Sequence, residues 1–97
     1  MIRAIYFDDR DKHREAGLSG SVHFTDPGDG GVSYMWFFCP CGCGDVSRIP
    51  TGVEHKPNLS GPSWNWNGRT DAPTLLPSVH MVGHWHGWLR DGYWESC

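Results

Sequence analysis

At residues 39–44 the chain reads Cys-Pro-Cys-Gly-Cys-Gly, which places three thiols at alternate positions of one short segment. On a regular strand, residues two apart lie about 6.6 Å from each other, so three sulfurs would be too spread out for one ion. Proline fixes φ and glycine admits positive φ, so this segment can curl and direct Cys39, Cys41 and Cys43 toward one point. Zinc takes about four tetrahedral ligands, so a fourth donor has to come from another part of the chain.

The region 80–86 offers that fourth donor, because it contains a cluster of histidines. Read as a strand, it places two of them on one face, and the last one opens a regular strand-turn-strand pattern that would hold it rigidly. The predicted ligands are Cys39, Cys41, Cys43 and His86, with His84 and then His80 as alternates. A site of two cysteines and two histidines, a disulfide, and free buried thiols are the other interpretations. Mixed nitrogen and sulfur ligation favours zinc over iron.

Composition predicts the fold class. A chain of 97 residues forms one domain, residues 1–97, with a modest hydrophobic core. Thirteen glycines and seven prolines favour short strands joined by turns over long helices. Six tryptophans supply large areas for burial. We therefore expect a mostly β domain, a small antiparallel sandwich or rolled sheet with little helix, stapled by the metal site.

Alternating apolar and polar residues predict two hairpins. The first pairs residues 19–25 with 32–39 across a turn rich in glycine and aspartate. The second pairs 84–90 with 93–96 across an Asp-Gly turn. The predicted sheet therefore brings the cysteine segment, which ends the first hairpin, to the histidine segment, which begins the second.

Three further segments have weaker patterns. Residues 8–15 are dense with charge and lack an apolar stripe, which predicts a loop or a single helical turn ending near Gly17. Residues 45–49 predict a short exit strand, and 50–61 are polar and irregular. No helix that could dock on the sheets is expected from these patterns.

Charge limits the choice of partners. The net charge of −3 and the absence of a basic stripe argue against binding to a nucleic-acid backbone. No segment approaches the ~20 apolar residues that span a bilayer, so no membrane partner is expected. The N-terminus has no signal-peptide pattern, which predicts a cytoplasmic location and favours metal ligation over disulfides. A protein partner is compatible with this composition, whereas the oligomeric state leaves no sequence signature.

A second candidate site is aromatic. Trp64 and Trp66 alternate with two asparagines, and Arg69 follows. Indoles beside amides and a guanidinium can form a ligand-binding surface for a sugar, a base or a peptide. The competing interpretation packs both tryptophans in the core and leaves the asparagines in water.

Four fragments together resemble a family of short phage and prophage proteins of unestablished function, often labelled "ammonia monooxygenase". The resemblance covers residues 32–96, and the fragments that carry it are 36–44, 63–66, 72–79 and 84–89. The family pattern has a cysteine shortly before the histidine of its Trp-His-Gly block. Residues 82–84 occupy that place here, so the resemblance implies that His84 replaces the cysteine. It implies a metal-binding phage-type protein without naming a reaction.

These observations favour a non-enzymatic zinc-binding module, whose structural ion holds two parts of the chain together in a binding or accessory role. The first alternative is a zinc-dependent hydrolase with an open metal position and Asp45 or Glu54 as base. A metal ion bound by three thiolates is a poor Lewis acid, which weakens the hydrolase alternative. The thiolate-rich segment also argues against the mono-oxygenase label. The second alternative is a nucleic-acid accessory module that uses Trp64, Trp66 and Arg69.

Overall fold

A computed structural model describes residues 2–97, and most of its regular structure is β-strand. The elements in chain order are β1 (Ile2–Arg3), α1 (Arg10–Ala16), β2 (Val22–Phe24), β3 (Val32–Phe38), β4 (Val46–Val53), β5 (Trp64–Trp66), β6 (Leu75–Leu76), β7 (Val79–Met81), β8 (Trp85–Arg90) and β9 (Tyr93–Ser96). A single 3-10 turn, Asp29–Gly31, precedes β3. No helix within residues 2–97 is both long enough and apolar enough to cross a membrane.

The strands form two sheets. One has four strands in the order β1-β9-β8-β7, and the other has five in the order β2-β3-β4-β5-β6. Every neighbouring pair is antiparallel except β4 and β5, which run parallel. The expected mostly β, two-sheet fold is therefore confirmed.

The hydrophobic core lies between the two sheets. Phe24 and Trp66 stack with their ring centroids 3.8 Å apart. Trp94, from the four-stranded sheet, packs against Phe37 of the five-stranded sheet at 5.5 Å and donates its indole N–H to the Gly20 carbonyl at 2.8 Å. Large aromatic side chains thus contribute to the core alongside aliphatic residues.

A docked helix, α1, replaces the loop or single helical turn that the sequence predicts for residues 8–15, ending near Gly17. Asp9 caps α1 by accepting from the Lys12 backbone N–H at 3.0 Å, and Gly17 ends it in a left-handed conformation. Its one buried side chain is His13, which donates from Nε2 to the Ser21 carbonyl at 3.1 Å. Because this helix docks through a single histidine, its sequence has no apolar stripe. The sequence pattern therefore predicted less helix than the structure has.

The exit strand is longer than the sequence indicated. β4 continues to Val53, past the expected end at residue 49, because it pairs with the whole length of β3. Pro50 is accommodated opposite Tyr34. The cysteine segment is therefore the connection of a long, well-paired hairpin.

A second hairpin positions the histidines. Strands β7 and β8 are joined by the turn 82–84, in which the His84 N–H donates to the Met81 carbonyl at 2.8 Å. Gly83 takes a φ of 78°, a left-handed value that suits glycine at this bend. His80 and His86 face each other across the hairpin, on the face opposite the buried Val79 and Leu89.

Candidate metal centre and serine–histidine pair

The β3–β4 connection meets the β7–β8 turn at a cluster of four metal-ligating side chains. Their potential ligand atoms all lie within 4.8 Å of one another, and they belong to Cys39, Cys41, Cys43 and His84. The Cys39 N–H donates to the Asp45 carbonyl at 2.9 Å, which closes the loop that carries the thiols. Gly42, at a φ of 87°, makes the bend that turns the sulfurs inward.

The spacing of the donors fits a metal ion. The Sγ atoms of Cys39 and Cys41 lie 3.1 Å apart, and Cys41 Sγ lies 3.7 Å from Nδ1 of His84. A tetrahedral zinc with ligand distances of about 2.0–2.3 Å separates neighbouring donors by roughly 3.5–3.8 Å. Three cysteines and one histidine form a common structural zinc set. This cluster could therefore bind a metal ion with only small adjustments.

The carboxylate of Asp45 lies near the His84 ring, on the side of the ring away from the thiols. Asp45 Oδ2 lies 3.9 Å from Nε2 of His84, whose Nδ1 faces the thiols. Ligating histidines commonly have a carboxylate or a carbonyl at their second ring nitrogen, which fixes the tautomer and the ring orientation. Asp45 is therefore placed to orient His84 rather than to act as a base.

The thiols differ in acidity when no metal is bound. Burial raises the pKa of the Cys39 thiol to about 12. Hydrogen bonds from Cys39, then from His84 and Cys43, lower the pKa of the exposed Cys41 to about 7. Cys41 is thus the first of the two to become a thiolate, the form that ligates metal. All four cysteines of residues 2–97 are free, so the disulfide interpretation finds no support.

His84, the alternate ligand, occupies the position predicted for His86. The sequence pattern treated both as residues of one strand face, but His84 lies in the turn, and only His86 lies on β8. The turn sends the His84 ring to the cysteine segment. His86 and His80 remain on the outer face of the sheet, with their ring centroids 4.6 Å apart. The structure thus brings the alternate His84, rather than the favoured His86, together with the three cysteines.

The structure shows the contacts of the residues proposed as an aromatic surface. Trp66 is buried against Phe24, and its indole N–H donates to the Arg69 carbonyl at 3.0 Å. Trp64 is half-buried and donates to the Ser78 carbonyl at 3.2 Å. The Arg69 guanidinium forms two hydrogen bonds with Asp71. Packing and local hydrogen bonds therefore account for these three residues.

Ser78 and His86 form a serine–histidine pair, which lies beside His80 and outside the cysteine cluster. Ser78 Oγ and His86 Nε2 are 3.1 Å apart, within the range for a nucleophile and its base. Ser78 directly precedes β7, and register places its side chain on the same outer face as His80 and His86. The Trp64 hydrogen bond anchors the Ser78 backbone from the other sheet. The sequence interpretation assigned Ser78 no role, although it ends the Pro-Thr-Leu-Leu-Pro-Ser segment.

Residues 2–97 thus define a small two-sheet β protein that carries a metal-ligating cluster and a serine–histidine pair. Residues 7–97 match the family described as "Bacterial ubiquitination-like system serine protease (BubE)". The chain therefore belongs to the BubE family. No curated protein and no solved structure matches it significantly.

Proposed function

We propose that this protein is a serine hydrolase of a bacterial ubiquitination-like system, with Ser78 as nucleophile and His86 as general base. The observation that carries the proposal is the 3.1 Å contact between Ser78 Oγ and His86 Nε2 on an exposed sheet face. The description of the family as serine proteases supports it. The proposal departs from the non-enzymatic module that the sequence favoured.

The pair supports ordinary acyl transfer. Ser78 Oγ bonds to the carbonyl carbon of the substrate while its proton passes to His86 Nε2. The bond from that carbon to the leaving amine then breaks as the amine takes the proton. Water repeats the sequence on the acyl-enzyme, releasing the acid and restoring Ser78. The His80 ring packs beside that of His86, with the two ring centroids 4.6 Å apart.

Zinc at the Cys39–Cys41–Cys43–His84 cluster has a structural role in this proposal. Four protein donors fill a tetrahedral shell, so the cluster leaves no open position for a hydrolytic water. A zinc-dependent hydrolase is therefore the weaker alternative. The ion would tie the β3–β4 connection to the β7–β8 turn, two residues from His86, and so hold the pair in place.

A cytoplasmic location is part of the proposal. We place the protein in the cytoplasm, where thiols stay reduced and available for zinc.

A fluorophosphonate probe tests the proposal without a known substrate, because it phosphonylates activated serines. The zinc-loaded protein should acquire one adduct, which peptide mass spectrometry should locate at Ser78. Ser78→Ala should abolish labelling, and His86→Ala should slow it by about a hundredfold or more. Ser60→Ala, an exposed loop serine, is the matched control and should label normally. Labelling that is absent, or that ignores His86→Ala, would refute the proposal.

A further inference from the structure

Three arginines surround one tryptophan on the outer face of the five-stranded sheet. The guanidinium carbons of Arg10, Arg14 and Arg48 lie 4.4, 5.6 and 5.7 Å from the centroid of the Trp36 ring. Arg48 also lies 4.6 Å from the Tyr34 ring centroid. We call these five residues the arginine patch.

Two separate elements build the patch. Arg10 and Arg14 are one helical turn apart on α1, so they share a face of that helix. Arg48 is the cross-strand partner of Trp36 in the register of β3 and β4. Trp36 is half-buried and all three arginines are exposed, so the guanidinium groups around the indole remain accessible to solvent.

Within residues 2–97, no carboxylate forms an ion pair with an arginine of the patch. Among residues 2–97, the carboxylates within 4.0 Å of a basic group are those of Asp71, paired with Arg69, and Asp45, near His84. The chain has eleven acidic residues and a net charge of −3, yet none of the carboxylates of residues 2–97 lies within 4.0 Å of the three guanidinium groups. Gathering like charges is unfavourable, and an incoming anion would relieve it.

We propose that the arginine patch binds an acidic peptide segment of a partner protein through two or more carboxylates. Guanidinium groups form bidentate hydrogen bonds with carboxylates, and stacking on an aromatic ring pre-organises them for it. A single nucleic-acid strand fits less well. Arg10 lies over the Trp36 ring at 4.4 Å and would compete with a base for it, and the net negative charge of the protein would repel a long phosphate backbone.

Fluorescence anisotropy tests the proposal on the zinc-loaded protein. The probe is a short fluorescein-labelled peptide of alternating aspartate and glutamate. A matched peptide of asparagine and glutamine and an oligothymidylate of equal length are the comparison ligands. The acidic peptide should bind at least about tenfold more tightly than the neutral one, since each charge-assisted hydrogen bond contributes on the order of a tenfold gain.

Substitutions locate the binding. The double variant Arg10→Gln/Arg48→Gln should lose about tenfold or more in affinity. Arg90→Gln should leave affinity unchanged, because Arg90 stacks on Trp88 at 4.5 Å on the other sheet, outside the patch. If the double variant does not fold, Arg14→Gln on the helix surface should still weaken binding. Equal affinity for both peptides, or an equal loss in Arg90→Gln, would overturn the proposal. Tighter binding of the oligonucleotide that depends on the same arginines would replace the peptide with nucleic acid.

Discussion

His84 and His86 are two residues apart in the sequence and belong to different sites. His84 lies in the β7–β8 turn, with Nδ1 3.7 Å from the sulfur of Cys41. His86 lies on β8, with Nε2 3.1 Å from the Ser78 hydroxyl. One hairpin thus contributes an imidazole to a thiol cluster from its turn and another to a serine from its strand.

Local backbone conformation, rather than residue spacing, determines which of the two sites each imidazole joins. A strand would place both rings on the same face. The turn breaks this alternation at residue 84, and regular pairing resumes between Met81 and Trp85. Since the two sites share this hairpin, a metal at the first would also constrain the second.

The largest expected effect follows removal of the metal. Structural zinc sites contribute an apparent ~10–16 kcal/mol, which is comparable to or greater than the ~5–15 kcal/mol net stability of a domain. Chelation of the zinc-loaded protein should therefore abolish its far-UV circular dichroism and its native tryptophan fluorescence. Fluorophosphonate labelling of Ser78 should disappear in parallel.

Cysteine variants supply the control for chelation. Cys39→Ser should behave as the chelated protein does, because it removes the buried thiol of the cluster. Cys97→Ser removes a thiol outside the cluster and should keep zinc and fold normally. A protein that remains folded without zinc would show that the cluster does not hold the sheets together.

The next effect separates the two histidines. His86→Ala should bind one zinc and melt near the wild-type temperature, yet label with fluorophosphonate about a hundredfold or more slowly. His84→Ala should lose zinc affinity first and labelling only as a consequence. His84→Cys should restore zinc binding, because four cysteines also form a structural site. Zinc loss in His86→Ala with normal binding in His84→Ala would reverse the assignment.

A smaller effect is expected at the carboxylate behind His84. Asp45→Asn removes the charge at 3.9 Å from His84 Nε2 and leaves the ligands in place. Loss of such an outer partner typically costs 10–100-fold in metal affinity, and the exposure of this pair predicts about tenfold. Competition with a chromophoric chelator measures it. An unchanged zinc affinity would indicate that the loop alone orients His84.

The sequence predicted the mostly β fold and the thiol segment because both rest on local patterns. Glycine and proline mark turns, and cysteines at alternate positions with glycine between them can curl toward one point. The choice between His84 and His86 depended on where the hairpin turns, and Gly83 alone does not fix that position. The implied replacement of a cysteine by His84 came from the resemblance, and the structure places His84 in that cluster.

Other features depend on pairing between distant strands. The contact between Ser78 and His86 requires the register that sets Val79 opposite Gly87, which no local pattern specifies. The arginine patch likewise joins α1 to β4 through Trp36. Helix α1 was underestimated because its buried contact is a single polar residue, His13, rather than an apolar stripe.

His13 provides a third kind of histidine, and the smallest expected effect. Burial lowers the pKa of His13 below its usual 6.5, so the folded protein takes up a proton on this ring less readily than the unfolded chain does. The titration of His13 therefore leaves the free energy of unfolding unchanged above about pH 6.5 and lowers it as the pH drops below that value. His13→Gln keeps a donor for the Ser21 carbonyl and removes the titration. Between pH 7 and 5, the melting temperature of the zinc-loaded wild type should fall more steeply than that of His13→Gln, since acid release of zinc affects both equally. Parallel curves of melting temperature against pH for the two proteins would mean that His13 is also protonated in the folded protein.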